Sequence, residues 1–142
     1  MISLFTPPHD ARYLGAAHDS LLAQVGAPAW EWVIVPNGNA VEMPAAVRDD
    51  PRVRIVPAPA GLEREGVGAL KHFACQHCRG DILFELDHDD LLAPTALAEV
   101  RDAVDREGAG FVYSDFCEFR ADGSSRTYLA NHGWQQYEVE FQ

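Results

Sequence analysis

The chain has 142 residues, 47% of them hydrophobic and 23% charged, which suits one globular domain burying roughly 70% of its unfolded surface and excludes global disorder. Twenty-two acidic residues against eleven basic ones give a net charge of −11. That charge excludes nucleic acid as the expected partner and disfavours a phosphorylated ligand, unless a cation or local dipoles reverse the sign where it sits. No segment approaches the ~20 apolar residues of a membrane span, and the start, Met1 to Phe5, lacks a basic leader and turns at once into Pro7-Pro8.

Ile2 to Thr6 is a short apolar run stopped by Pro7-Pro8, the pattern of a buried strand. From Tyr13 to Gln24 a helix is predicted, with Leu14, Ala17, Leu21 and Val25 on its apolar face. Trp30 to Val35 reads as a second strand, ended by Pro36-Asn37-Gly38-Asn39, and Val53 to Val56 as a third. After the Pro57 to Gly61 loop, Val67, Leu70, Ala74 and Cys78 mark a second helix, ended by Arg79-Gly80. Ile82 to Leu86 is a fourth strand. Pro94 then fits the first turn of a third helix, buried along Leu97, Val100 and Val104. Phe111 to Tyr113 is the fifth expected strand, and Cys117 to Arg120 and Arg126 to Leu129 flank the hairpin signal Asp122-Gly123. The alternation predicts one α/β domain with a mostly parallel, Rossmann-like sheet flanked by helices. Its ligands belong beyond the carboxyl ends of the strands.

One such end is acidic. Asp87, Asp89 and Asp90 follow the fourth strand, and strand alternation would send Glu85, Asp87 and Asp89 to one side. Carboxylates that close repel unless something positive lies between them, and Mg²⁺ or Mn²⁺ with oxygen ligands answers that need. A solvated acidic loop supporting the next helix is the simpler alternative.

These residues also carry a resemblance. Asp87-His88-Asp89-Asp90, after an apolar strand, is similar to the DxD(D) element of family 2 glycosyltransferases with the GT-A fold. Ser3 to Asp10 resembles that family's opening strand and turn, and Leu14 to Gln24 its first helix. Trp32 to Asn39 resembles its strand ending Asp-Asp-Gly-Ser. Gly66 to His72 resembles its Gly-Val-Ser-x-Ala-Arg-Asn segment, and Val112 to Asp115 the strand that follows. The likeness covers about residues 2 to 120, the nucleotide-sugar-binding portion. Residues 121 to 142 would be a hairpin and the start of an acceptor-side region.

The resemblance implies transfer of a sugar from a nucleoside-diphosphate sugar to a carbohydrate or lipid-linked acceptor, metal-dependent and with inversion. It places base and ribose on Pro7, His9, Asp10 and Asn37, the basic residue on Lys71, ribose or sugar on Asp87, and the metal on Asp89 beside Asp87. Pro36 and Asn37 stand in place of the family's Asp pair and His9 in place of a stacking aromatic, which bears on nucleotide identity. Family members continue into an acceptor half that carries the general base, so the base is expected beyond Gln142, and the chain reads as truncated before that half. Asp115 is a candidate only for sugar or acceptor contact, or for capping a loop. A non-catalytic nucleotide-sugar-binding or interaction domain is the rival reading. A cytoplasmic location, or a peripheral one at the inner membrane face, is implied.

Other patterns are weaker. His72, Cys75, His77 and Cys78 contain a CxxC, but the two histidines diverge on the predicted helix and no second ligand pair follows, so the cysteines read as core filler. Three cysteines without framework spacing point to a reducing compartment. Asp87 and Asp89 also fit the minimal Asp-x-Asp of a haloacid-dehalogenase-like phosphatase, yet Leu91 stands where that pattern wants a hydroxyl residue or valine. Trp30, Trp32 and Trp134 are expected at core or edge positions.

Overall fold

The structure, a computed structural model, describes residues 1–38, 41–114, 116–119 and 125–127. They fall into two units, Met1–Gly108 and Ala109–Gln142.

In the first unit, strands β1 (Ile2–Thr6), β2 (Trp30–Ile34), β3 (Val53–Ile55) and β4 (Ile82–Glu85) form a parallel sheet in the order β3-β2-β1-β4. Helices α1 (Leu14–Leu22), α2 (Ala45–Arg48), α3 (Val67–His77) and α4 (Ala96–Glu107) connect or follow them, with a 3-10 turn at Leu62–Glu65. The expected α/β architecture is present.

β1 and β2 are central, and every residue in them is buried. A strand covered on both faces needs a nearly continuous apolar run, which these two segments supply. Alternation then divides the core. Ile2, Leu4, Trp30, Trp32 and Ile34 pack with Leu14, Ala17 and Leu21 of α1, Val47 of α2 and Leu97 of α4. Phe5, Val33 and Val35 pack with Leu70 and Ala74 of α3 on the opposite face.

Two buried polar residues, Ser3 and Glu31, join the strands toward their amino ends. Ser3 Oγ donates to Glu31 Oε1 (2.7 Å), Arg54 Nη1 donates to Glu31 Oε2 (3.0 Å), and the Arg79 amide donates to Glu31 Oε1 (2.7 Å). Burial pushes the Glu31 carboxyl up, but these three donors outweigh it and hold it below its ordinary value. The Gly80 amide donates to Ser3 Oγ (2.7 Å), and a Cβ at Gly80 would lie 2.4 Å from the Met1 carbonyl oxygen and 2.8 Å from the Ser3 nitrogen. Only glycine fits there.

Several expectations are corrected. α1 ends at Leu22, so Val25 falls past the helix and is 63% exposed. Val67, the first residue of α3, is likewise exposed. α4 starts at Ala96 with Thr95 at the cap position, so Pro94 precedes the helix, and its carbonyl accepts from the Val25 amide (2.7 Å). Leu97 is buried as expected, while Val100 and Val104 are only half-buried.

β4 stops at Glu85, and Asp87 to Asp90 close a turn in which the Asp90 amide donates to the Asp87 carbonyl (3.2 Å). Strand alternation therefore does not extend to Asp89. Trp30 and Trp32 are core residues, as expected.

In the second unit, β5 (Cys117–Phe119) and β6 (Ser125–Thr127) pair antiparallel, Glu118 opposite Arg126. Phe111 to Tyr113 do not form the fifth expected strand; Phe111 and Tyr113 are exposed. A strand exists through its ladder, and three β-favouring residues after Gly108-Ala109-Gly110 do not define one by themselves. Asp115, the Asp122-Gly123 turn and Trp134 lie outside the described residues, as does Asn39.

Candidate functional site

The carboxyl edge of the sheet is tied together through Thr6, the last residue of β1. Trp32 Nε1 donates to Thr6 Oγ1 (2.8 Å), and that hydroxyl donates in turn to the Leu86 carbonyl, so β2, β1 and the end of β4 share one buried chain of bonds. The Val35 amide donates to the Thr6 carbonyl (2.9 Å), the Leu86 amide to the Phe5 carbonyl (3.2 Å), and the Asn37 amide to the Pro8 carbonyl (2.8 Å). Pro7 and Pro8 are buried and shape this edge rather than offer surface.

His9 and Asp10 leave the edge in different directions. The His9 ring meets the His88 ring edge-on, centroids 4.4 Å apart, which joins the turn after β1 to the turn after β4 across 79 positions of sequence. His88 Nδ1 lies 3.5 Å from Asp89 Oδ1, and the His88 side chain is 14% exposed against 57% for Asp89. The carboxylate of Asp10 instead accepts from the Arg12 amide (2.9 Å) and from the Arg12 guanidinium, and these bonds hold it below its ordinary range. That local ring starts the chain toward α1.

A cleft of about 600 Å³ opens beside it, lined by residues 9–12, 41–45 and Arg48. Arg12, Met43 and Arg48, which line it, were not singled out from the sequence. Nothing in a local pattern marks residues that meet only through the tertiary fold.

On the far side of the edge stands Lys71, the chain's single lysine. From α3 its Nζ lies between two carboxylates, bonded to Glu85 Oε1 and 3.2 Å from Asp87 Oδ1. Burial pushes the ammonium pKa down, but its bonds to Glu85 and Asp87 outweigh this and keep it above the ordinary value. Asp90 shows the opposite imbalance. The protein packed around its carboxyl pushes it up, and the neighbouring Asp87 and Asp89 charges add to the shift more than His88 and Lys71 relieve it. Two carboxylates, Glu85 and Asp87, thus share one ammonium, with Asp89 and Asp90 in the turn that follows.

Of the residues expected from the sequence, Pro7, His9, Asn37, Lys71, Asp87 and Asp89 come to this one edge, Pro7 as a buried residue, while Asp10 is engaged by Arg12. Among the described residues no group of three or more His, Cys, Asp or Glu side chains is gathered to hold a metal. The donor set of Asp87 and Asp89, carboxylate oxygens, would suit a hard divalent cation, with at most a pair of carboxylates as its ligands among the described residues. That leaves the other positions to water and phosphate, the usual arrangement for Mg²⁺.

Comparison with known proteins places the chain in a family. The description "Glycosyl transferase family 2" matches residues 4–140. The chain belongs to family 2 of the glycosyltransferases. The O-antigen biosynthesis protein RfbC of Myxococcus xanthus is 35% identical over an alignment of 112 positions that covers 70% of this chain and 8% of that protein. In fold, this family 2 domain is similar to S. aureus TarS 1-349, with a TM-score of 0.66 and 16% identity over 87% of this chain and 37% of that one. TarS 1-349 in complex with UDP-GlcNAc superposes with a TM-score of 0.65 and 17% identity, over 83% of this chain and 33% of that one. The chain thus spans a small part of RfbC and about a third of TarS 1-349.

The cysteines are placed by packing. Cys75 and Cys78 pack against the core on the α3 face, and burial pushes the Cys78 thiol up to about 11 and Cys75 in the same direction. Neither has the depressed pKa of a reactive thiol. No helix among the described residues is long and apolar enough to cross a membrane.

Proposed function

We propose that the domain binds a nucleoside-diphosphate sugar at the carboxyl edge of its sheet and serves a glycosyltransferase that passes the sugar to an acceptor hydroxyl with inversion. The observation that carries this reading is the convergence of His9, Asn37, Lys71, Asp87 and Asp89 on one edge in a chain of the glycosyltransferase family. TarS, of similar fold, has been solved with UDP-GlcNAc and with UDP.

In this reading the base and ribose lie against the His9 and Asn37 side of the edge. The diphosphate lies toward Asp87, Asp89 and Lys71. Asp89, more exposed and without a lysine partner, is the carboxylate that holds a divalent cation, with Asp87 beside it. Mg²⁺ or Mn²⁺ bound there neutralises the diphosphate as it becomes the leaving group. An acceptor hydroxyl, deprotonated by a base outside the residues described, attacks the anomeric carbon from the face opposite the departing oxygen. The C–O bond to the diphosphate breaks as the glycosidic bond forms. A carbohydrate or lipid-linked acceptor, and a reducing compartment suited to three cysteines without framework spacing, in the cytoplasm or at the inner membrane face, complete the proposal.

The test is single-turnover sugar transfer and donor hydrolysis from a panel of radiolabelled nucleotide sugars, with Asp89→Asn as control. Metal-dependent turnover in the parent, lost in the variant, is expected. Tight donor binding with neither transfer nor hydrolysis would instead mark a non-catalytic nucleotide-sugar-binding domain.

A further inference from the structure

β4 is apolar from Ile82 to Phe84 and then carries Glu85, a carboxylate whose side chain is 51% exposed at the last strand position, paired in register with Phe5. Nothing in the core calls for an acid there. What it meets is Lys71, which is also 3.2 Å from Asp87, the carboxylate next to the proposed cation site.

These contacts create a competition. In the structure Lys71 neutralises part of the charge that a divalent cation near Asp87 would need, and a cation arriving there repels the ammonium. If Asp87 were the lysine's sole anionic partner, cation binding would leave a half-buried ammonium unpaired, which is costly. Glu85 removes that cost, because it already bonds the same Nζ from the other side. Lys71 can give up Asp87 and stay paired.

We propose that Glu85 is a positioning residue: it holds Lys71 when Asp87 is engaged by a divalent cation, so that cation and lysine occupy the site together. The proposal rests on the reading of the site given above. It assigns Glu85 no contact with the cation, and it distinguishes an indirect role from that of one more negative charge.

A double-mutant cycle on the 142-residue chain separates these roles. Mn²⁺ affinity without nucleotide is measured by electron paramagnetic resonance for the parent, Glu85→Gln, Lys71→Met and the double variant, with circular dichroism to check the fold. Glu85→Gln is expected to bind Mn²⁺ about fivefold more weakly, the scale of a partly exposed ion pair. Lys71→Met is expected to bind at least as tightly as the parent, and the double variant within about twofold of Lys71→Met. Glu85→Asp, which keeps the charge but shortens its reach, should fall between parent and Glu85→Gln.

Equal Mn²⁺ affinity in parent and Glu85→Gln overturns the inference and leaves the proposed function standing. Equal weakening by Glu85→Gln with and without Lys71 also overturns it, because Glu85 would then act directly as a ligand or as bulk charge. Absence of Mn²⁺ binding by the parent overturns both.

Discussion

Thr6 links the core to the site, because its hydroxyl accepts from Trp32 and donates to the Leu86 carbonyl. Thr6→Val keeps the volume and removes the hydroxyl, leaving a buried indole N–H and a carbonyl without their partner. A loss of about 1–3 kcal/mol is expected in urea unfolding. Gly80→Ala sets a methyl against the Met1 carbonyl at a place where both partners are backbone and neither can swing away. It is expected to cost about 3 kcal/mol, read as a lowered denaturation midpoint.

Lys71→Met separates the two charges of the site. It should weaken nucleoside-diphosphate binding in saturating Mn²⁺ about tenfold while leaving affinity for Mn²⁺ alone no weaker, a difference that calorimetry under the two conditions resolves. The place of Asp87 and Asp89 just past a strand end was legible in the sequence, because the apolar run of β4 stops before them. The pairing of His9 with His88 was not, since it joins distant turns. Nor was the engagement of Asp10 by Arg12, which depends on how one turn closes.

At the level of elements, α1 is fastened to the approach of β3 by a polar joint. His18 Nε2 is 2.9 Å from Asp50 Oδ2, Arg52 bonds both oxygens of Asp50, and the Arg52 guanidinium lies over the Trp30 ring at 4.1 Å. The Arg52 bonds, against burial and with help from His18, hold the Asp50 carboxyl well below the usual carboxylate range. A carboxyl depressed by folding stabilises the protein above its unfolded pKa of about 3.9, and that contribution is lost as pH falls through the depressed folded value. Stability in urea should therefore decline from about pH 4 downward, and Asp50→Asn should flatten that decline. An unchanged acid limb in the variant would rule out this joint as its source.

The strands and helices themselves were readable because apolar runs and 3.6-residue stripes report burial directly, and β1 reproduces its expected bounds. Ends were less readable. Whether a strand stops at Glu85 or Leu86 depends on its neighbours' hydrogen bonds, and Phe111 to Tyr113 have strand-like composition without a ladder.

For the molecule as a whole, charge is the governing fact. A net charge of −11 repels a diphosphate at long range, and the two carboxylates that flank the single lysine already take up its charge. On the proposed reading, binding of a nucleoside diphosphate would then depend on a divalent cation. The composition made this tension visible, while the structure adds that Lys71 is already engaged by Glu85 and Asp87 and so cannot neutralise a diphosphate alone.

Calorimetric titration of the chain with a nucleoside-diphosphate sugar, in Mn²⁺ and then in excess EDTA, tests that dependence directly. The account predicts saturable heat with the cation and none after chelation. Equal binding in both, or no heat in either across a panel of donors, would contradict it.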